Sequence, residues 1–341
     1  MKRCSRCILP ENYPNITFND KGVCNYCVDN QNKISKSYLK KLESDLEKTL
    51  RRYKNKGEYD CLIGLSGGKD STYLLYLLVK KYKLNVLAVT IDNGFLSEVV
   101  YNNIKKTVNV LSVDHIFFKP DENIYKKIFS YVFTNFFDRD LSKTSDFLVC
   151  HKCFRVLICS LIRIAIDKDV PIIVLAASPD QERDFGFYKF PKSKISQKFF
   201  VPKEFKNILN DKEINYFWNP KFKNVKKIPS ILFPFHVLDY DSDKITKKVV
   251  DIGLIDKGKA NSWVTNCYIT KLMVYLDMRV LGYFAWINNI CRDIRNGKIN
   301  RLKALSILKI MSWKTKLGIF ERKEINFVLK KLNLSLKDIL K

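Results

Sequence analysis

A chain of 341 residues, 46% hydrophobic and 28% charged, can bury a substantial core and reads as one large globular domain with appendages. No stretch approaches the ~18 apolar residues that span a bilayer, and the N-terminus lacks the apolar core of a signal peptide. These features exclude membrane insertion and point to a cytoplasmic protein. The net charge of +26 fits a nucleic-acid or phosphate-rich partner or compositional drift in a chain crowded with Lys, Asn, Ile, Phe and Tyr. Acidic ligands such as ATP or nucleotide-sugars are accommodated either way.

In a cytoplasmic setting ten cysteines argue for metal or catalytic thiols ahead of disulfides. The first four stand as Cys4-Ser5-Arg6-Cys7 and Cys24-Asn25-Tyr26-Cys27, with sixteen residues between the pairs. Two such turns match a tetrahedral four-thiolate zinc site. Four ligands leave no open position, so the zinc would be structural, stapling a segment over 1–34 that is too small to fold alone. The alternative is four unrelated buried thiols.

An amphipathic helix is expected from about Ser35 to Tyr53. Tyr59 to Leu65 reads as a short buried strand, and a helix covers about Asp70 to Tyr82. Between them lies Ser66-Gly67-Gly68-Lys69-Asp70-Ser71. Glycine lets backbone N–H groups approach a ligand, and a helix N-terminus favours anions, so this turn is a candidate phosphate cradle. It is not the Walker pattern. The plainer alternative is a tight strand–helix connection.

Asn85 to Ile91 forms a second strand ending in Asp92-Asn93-Gly94, followed by a helix over about 97–111. A strand at Asp114 to Lys119 and a helix over about 122–136 come next. This alternation predicts an α/β, doubly wound parallel sheet over 35–182, with ligands beyond the carboxyl ends of its strands. Asp92, at such an end, is either a nucleotide or metal contact or a turn residue. A helix from Asp146 to about Lys168 opens with Cys150-His151-Lys152-Cys153, where the dipole favours thiolates. A fourth strand, Pro171 to Ala176, leads into Ala177-Ser178-Pro179-Asp180-Gln181-Glu182, again on the ligand side.

Residues 183–260 lack a stable period and read as an insertion or lid. Phe233-Pro234-Phe235-His236 looks extended, and Asp239 to Ser242 can cap a short helix ending near Gly253. His236, lone among aromatics, reads as packed. The stretch 261–341 is helical in pattern. Cys267 precedes one apolar run, Phe284 to Asn296 forms another helix, Asn300 caps a third through Met311, and Arg322 to Leu332 makes a further one.

The six-residue turn, in its strand–helix context, resembles the signature of the PP-loop ATPases, or N-type ATP pyrophosphatases. The resemblance implies an adenine nucleotide alpha hydrolase-like fold in which ATP is cut between its α and β phosphates and AMP is placed on a substrate oxygen. Ser66, Gly67, Gly68 and Ser71 would then hold the pyrophosphate, Lys69 would neutralise it, and Asp70 would sit near Mg²⁺. Asp180 and Gln181 would contact Mg²⁺ or the reacting group.

Both ends extend the likeness. Cys4-x-x-Cys7-Ile8-Leu9-Pro10, continued as Phe18 to Cys27, is similar to the start of the N-acetyl sugar amidotransferases, ATP-using subunits of bacterial surface-polysaccharide pathways such as lipopolysaccharide. Cys291 to Arg301 looks like a late motif of that family, and Leu332 to Ser335 is compatible with its tail. The implied reaction adenylates the amide oxygen of an N-acetyl group on a sugar or nucleotide-sugar. Ammonia from a separate glutaminase subunit then displaces AMP and leaves an acetamidino group.

Cys150, Cys153 and Cys267 depart from this picture. They match the arrangement of some tRNA-thiolating PP-loop enzymes, in which three cysteines hold an iron–sulfur cluster or carry sulfur. Three thiolates would leave one iron of a [4Fe–4S] cluster open. A catalytic thiol, a zinc site and simple packing are the alternatives. A sulfurtransferase acting on tRNA and a non-catalytic nucleotide-binding regulatory subunit therefore stand beside the amidotransferase.

Overall fold

The computed structural model describes residues 1–28, 36–135, 148–178, 188–190, 201, 203–218, 222, 228–265 and 267–340. Along the chain come α1 (Asn25–Val28), α2 (Lys36–Tyr53), β1 (Cys61–Gly64), α3 (Lys69–Tyr76), β2 (Val86–Ile91), α4 (Glu98–Leu111), β3 (His115–Phe118) and α5 (Glu122–Thr134). Then follow α6 (Leu148–Asp167), β4 (Ile172–Val174), α7 (Asp211–Phe217), β5 (Ser230–Leu232), α8 (Ser242–Asp251) and α9 (Ser262–Thr265). The last are α10 (Ile269–Val280), α11 (Ile287–Arg295), α12 (Arg301–Lys316), α13 (Arg322–Leu332) and α14 (Leu336–Ile339). They fall into two compact units. One comprises Met1–Ile34, Phe129–His151 and Tyr268–Lys341; the other comprises Ser35–Ile128 and Lys152–Cys267.

The second unit holds a five-stranded sheet in the order β3-β2-β1-β4-β5. Every neighbouring pair is parallel, with Ile63 beside Ala88, Leu62 beside Ile173 and Ile173 beside Ile231. The expected doubly wound architecture is present. β2 is buried along its whole length, as a strand covered on both faces must be. Strand order reverses between β1 and β4, which places the topological switch point, and the ligand crevice that goes with it, at their carboxyl ends.

Several details depart from the sequence expectation. In Phe233–His236, expected to be extended, Pro234–His236 form a tight 3-10 turn that starts with the proline. The helix after the glycine turn changes to a π turn over Leu77–Lys81, closed by Tyr82 N–H donating to Leu77 O at 3.0 Å. The fifth strand comes from the stretch with no stable period. Three residues are too few to display alternation. Ser230–Leu232 pair with β4 on one side and on the other meet an antiparallel bridge from Lys189 to Leu232, with Phe190 N–H donating to Ile231 O at 2.9 Å. Downstream, α8 is capped by the Asp241 carboxylate, which accepts from Asp243 N–H at 3.0 Å and Lys244 N–H at 3.2 Å. That helix packs against α3.

In the first unit, α10 is buried continuously from Ile269 to Met278 and forms the centre against which α12 and α13 pack. Its Lys271 is only 5% exposed and lies 3.5 Å from the Glu321 carboxylate, which compensates the buried cation. The Asn300 side chain caps α12, accepting from Leu302 N–H at 2.9 Å and Lys303 N–H at 3.2 Å. The helix runs five residues beyond the expected Met311, because Ser312 to Lys316 contain no breaker before Gly318.

Candidate functional site

The glycine turn begins where β1 ends. Leu65 N–H still pairs with Val89 O at 2.8 Å, and then the chain leaves the sheet. Ser66 N–H donates to Ser71 Oγ at 3.1 Å, and the two hydroxyls lie 3.0 Å apart. Ser71 Oγ in turn donates to Gly68 O at 3.1 Å. The two serines thus close the turn across its base. Gly67 sits at φ +71°, and a Cβ there would meet Val100 O at 2.8 Å. Both conformation and space demand glycine. Its carbonyl accepts from Asn103 Nδ2 at 3.0 Å, and the same amide reaches Lys259 O at 3.0 Å.

Gly68 is the N-cap of α3, and no side chain caps that first turn. The orphan N–H groups and the dipole of α3 therefore lie at the mouth of the turn, an arrangement suited to an anion. Lys69 is 7% exposed. Its Nζ donates to both Asp70 oxygens, at 2.8 and 2.7 Å, and lies 3.4 Å from the Tyr240 hydroxyl. The Tyr240 ring centroid is 5.8 Å from the same nitrogen. A cation with one adjacent carboxylate for company is poised to accept a stronger anion.

Asp92 lies at the end of β2, 3% exposed. One of its oxygens accepts from Gly94 N–H at 2.8 Å and the other from the Tyr101 hydroxyl at 3.1 Å. Burial first, and then the Asp92 charge, push the Tyr101 hydroxyl up to about 12, so it remains a donor at neutral pH. Asp92 is thus a turn residue whose remaining lone pairs are what it can offer a ligand. Asp180 and Gln181 lie outside the described residues.

Three residues near the turn went unread in the sequence: Asn103, Tyr240 and Thr265. Thr265 Oγ1 lies 3.8 Å from where a Cβ on Gly68 would be. Nearby, Ser97 Oγ donates to Val264 O at 2.9 Å, tying α9 to the start of α4. Nothing local marks these positions, since each reaches the turn through a contact distant in sequence.

Cys150 and Cys153 lie one turn apart near the start of α6. Cys153 Sγ accepts from Asn93 Nδ2 at 3.6 Å, which links it to the end of β2. Burial pushes the Cys153 thiol up to about 12, and charge on Cys267 acts in the same direction. Among the described residues only the four N-terminal cysteines bring three or more sulfurs within 4.8 Å of one another, so Cys150, Cys153 and Cys267 are not gathered that closely.

The N-terminal thiols form a separate centre in the first unit. Cys4, Cys7, Cys24 and Cys27 are all buried, and their sulfurs lie within 4.8 Å of one another. Cys4 and Cys27 are 3.8 Å apart, Cys7 and Cys24 3.7 Å. A tetrahedron with metal–sulfur bonds of about 2.3 Å has edges of about 3.8 Å, so the set fits one ion. A cluster, with its thiolates on separate irons, needs them further apart. Backbone N–H groups already point at the sulfurs, from Cys7 and Cys24 to Cys4 Sγ at 3.4 and 3.2 Å and from Leu9 to Cys7 Sγ at 3.5 Å.

Two distant residues complete that centre. Arg301 donates through Nε to Cys7 O at 2.7 Å and through Nη2 to Cys4 O at 3.0 Å. The fully buried Cys291 hydrogen-bonds to Cys7. Bonds from Cys24, Cys27 and Cys291 drive the Cys7 thiol far below its ordinary value. A thiol lowered in this way is suited to the deprotonated state in which cysteine binds a metal.

No family model matches the chain. A curated relative, the uncharacterized protein MJ1599 of Methanocaldococcus jannaschii, is 26% identical over 158 residues, which are 46% of this chain and 52% of that protein. The chain thus spans about half the length of the curated relative it matches. Among solved structures, the U34-tRNA thiolase NcsA from Methanococcus maripaludis with its [4Fe-4S] cluster is 16% identical, with 91% of this chain and 89% of that one covered and a TM-score of 0.38. NMN synthetase from Francisella tularensis is also 16% identical, over 89% of this chain and 98% of that one, with a TM-score of 0.32. The NH3-dependent NAD synthetase from Campylobacter jejuni is 12% identical over 67% and 91%, at a TM-score of 0.29. None of these values identifies a family.

Proposed function

We propose that the turn at residues 66–71 grips the β and γ phosphates of ATP and that the chain transfers AMP to a substrate oxygen. The observation that carries this reading is the pairing of Gly67, left-handed and without room for a side chain, with Gly68 at the uncapped start of α3. Backbone N–H groups at a helix start, with a lysine beside them, form a cradle for a departing pyrophosphate. When the phosphates arrive, Lys69 turns to them and Asp70 gives up its partner. Asp70 and Asp92 supply the oxygen donors a hard cation prefers, and Mg²⁺ held there would spread the charge of the leaving group.

The acceptor follows from the resemblance at both ends of the chain. The amide oxygen of an N-acetyl sugar attacks the α phosphorus and pyrophosphate leaves. Ammonia, supplied by a glutaminase partner, adds to the amide carbon, and AMP departs with the oxygen. The four N-terminal thiols hold a structural zinc that takes no part in the chemistry, because no coordination position stays open. The test is pyrophosphate release from ATP with UDP-N-acetyl sugars and ammonium, together with the mass of the sugar product. Exchange of oxygen for NH is expected. Turnover without that exchange, or none with any N-acetyl sugar, rejects the amidotransferase.

Sulfur transfer to tRNA is the second reading, supported by Cys150 and Cys153 one turn apart on α6, with Cys153 tied to the end of β2 through Asn93. It shares the adenylation step and differs in the nucleophile. Iron and acid-labile sulfide in anaerobically purified protein would select it. Zinc alone, near one equivalent, selects the amidotransferase. A nucleotide-binding regulatory role would show ATP binding with no pyrophosphate release under either set of conditions.

A further inference from the structure

Helix α12 has two apolar faces. Ala304, Leu308 and Thr315 are buried on one. On the other, Leu302 is 69% exposed, Ile310 54%, Trp313 58% and Leu317, just past the helix end, 56%. At 3.6 residues per turn these four fall within an arc of about 80° directly opposite the buried side. The one polar residue inside that arc, Ser306, turns its hydroxyl back to Leu302 O at 3.0 Å, as helical serines do, so the strip presents little to water.

Lysines border the strip on both sides. Lys309 and Lys316 lie along one edge and Lys303 and Lys314 along the other, all exposed. No acidic residue occurs between Asn300 and Phe320, and among the described residues none of the four lysines pairs with a carboxylate. An apolar ridge between two rows of cations matches an apolar layer beneath fixed anions.

We propose that this ridge seats the protein on an anionic lipid surface. Leu302, Ile310, Trp313 and Leu317 enter the boundary between headgroups and acyl chains, while the lysines extend their stems outward to the phosphates. The helix lies on the membrane and does not cross it; among the described residues no helix is long and apolar enough to do so. A second copy of the chain is disfavoured, because each lysine row would meet its like. A protein groove that engulfs the helix is excluded by the burial of its inner face. The inference is independent of the nucleotide reading.

The experiment is sedimentation of the full zinc-loaded chain with vesicles of phosphatidylcholine, alone or mixed with phosphatidylglycerol. Binding is expected only to the mixed vesicles and is expected to weaken with salt. Trp313→Glu should lower it at least tenfold, and replacing all four lysines with Gln more than a hundredfold, at about fivefold per charge. Because every substituted side chain is exposed, the thermal midpoint of each variant should match the parent. Failure to bind mixed vesicles, or binding indifferent to both variants, overturns the proposal. A dimer broken by Trp313→Glu would assign the ridge to self-association, and binding only to an acidic protein would assign it to that partner; either result also overturns it.

Discussion

The turn at residues 66–71 concentrates its chemistry in six consecutive residues, whereas the four-thiol centre gathers Cys4, Cys7, Cys24, Cys27, Cys291 and Arg301 from opposite ends of the chain. The first is a local device mounted on a sheet that exists without it. Remove its charges and the sheet should stand. The second holds together segments that have few other reasons to stay folded. Stability and activity should therefore separate: damage to the thiols unfolds, and damage to the turn only silences.

The largest expected effect tests the thiol half. Cys4→Ser, or chelation of the parent protein, should empty the site and unfold the N-terminal segment, since structural zinc supplies on the order of 10 kcal/mol of folding energy in small modules. Metal analysis and limited proteolysis read this directly. Full protection of residues 1–28 without metal would show that Arg301 and packing suffice. For the turn, Lys69→Ala and Asp70→Ala should each reduce pyrophosphate release by a factor of about a hundred to a thousand and leave the thermal midpoint nearly unchanged. Near-parental turnover would mean that the turn is only a connection.

Gly67→Ala crosses the divide between the two behaviours. It places a Cβ 2.8 Å from Val100 O at φ +71°, so the turn or α4 must shift. A loss of about 1–3 kcal/mol is expected from the strained backbone, together with most of the nucleotide affinity. Urea unfolding and ATP titration measure the two separately. If affinity is lost at unchanged stability, the turn relaxes alone; if neither changes, the close approach to Val100 has no consequence.

The same contrast decides what could be read in advance. β1, the turn and α3 are contiguous, and their types follow from an apolar run, two glycines and an amphipathic stretch, so their placement was legible. The four thiols were legible too, because two short spacings carry the ligand set. What escaped was every partner that arrives through tertiary contact. Asn103 holds Gly67 O from the middle of α4, where an asparagine in a helix reads as an ordinary polar residue. Tyr240 meets Lys69 from an aperiodic stretch, and Ser230–Leu232 join the sheet with too few residues to show a period. Cys291 stood in a family-like motif, but only the fold brings it to Cys7. Its place at the carboxyl end of β2 offers Asp92 a ligand role, yet its hydrogen bonds to Gly94 and Tyr101 are those of a turn residue as well.

Cys291 offers the finest test of the contrast, because it belongs to the thiol centre without being one of its four ligands. Its thiol donates toward Cys7, and α11 holds it at full burial. Groups that hydrogen-bond to metal ligands typically account for 10- to 100-fold in metal affinity. Cys291→Ala should therefore leave one zinc per chain while raising the rate at which a chelator removes it by about tenfold. Cys291→Ser keeps a donor at the same place and should recover part of that loss, which a packing defect alone would not predict. Equal release from all three proteins would confine the centre to its four ligands and Arg301, and would make the late cysteine an ordinary core residue.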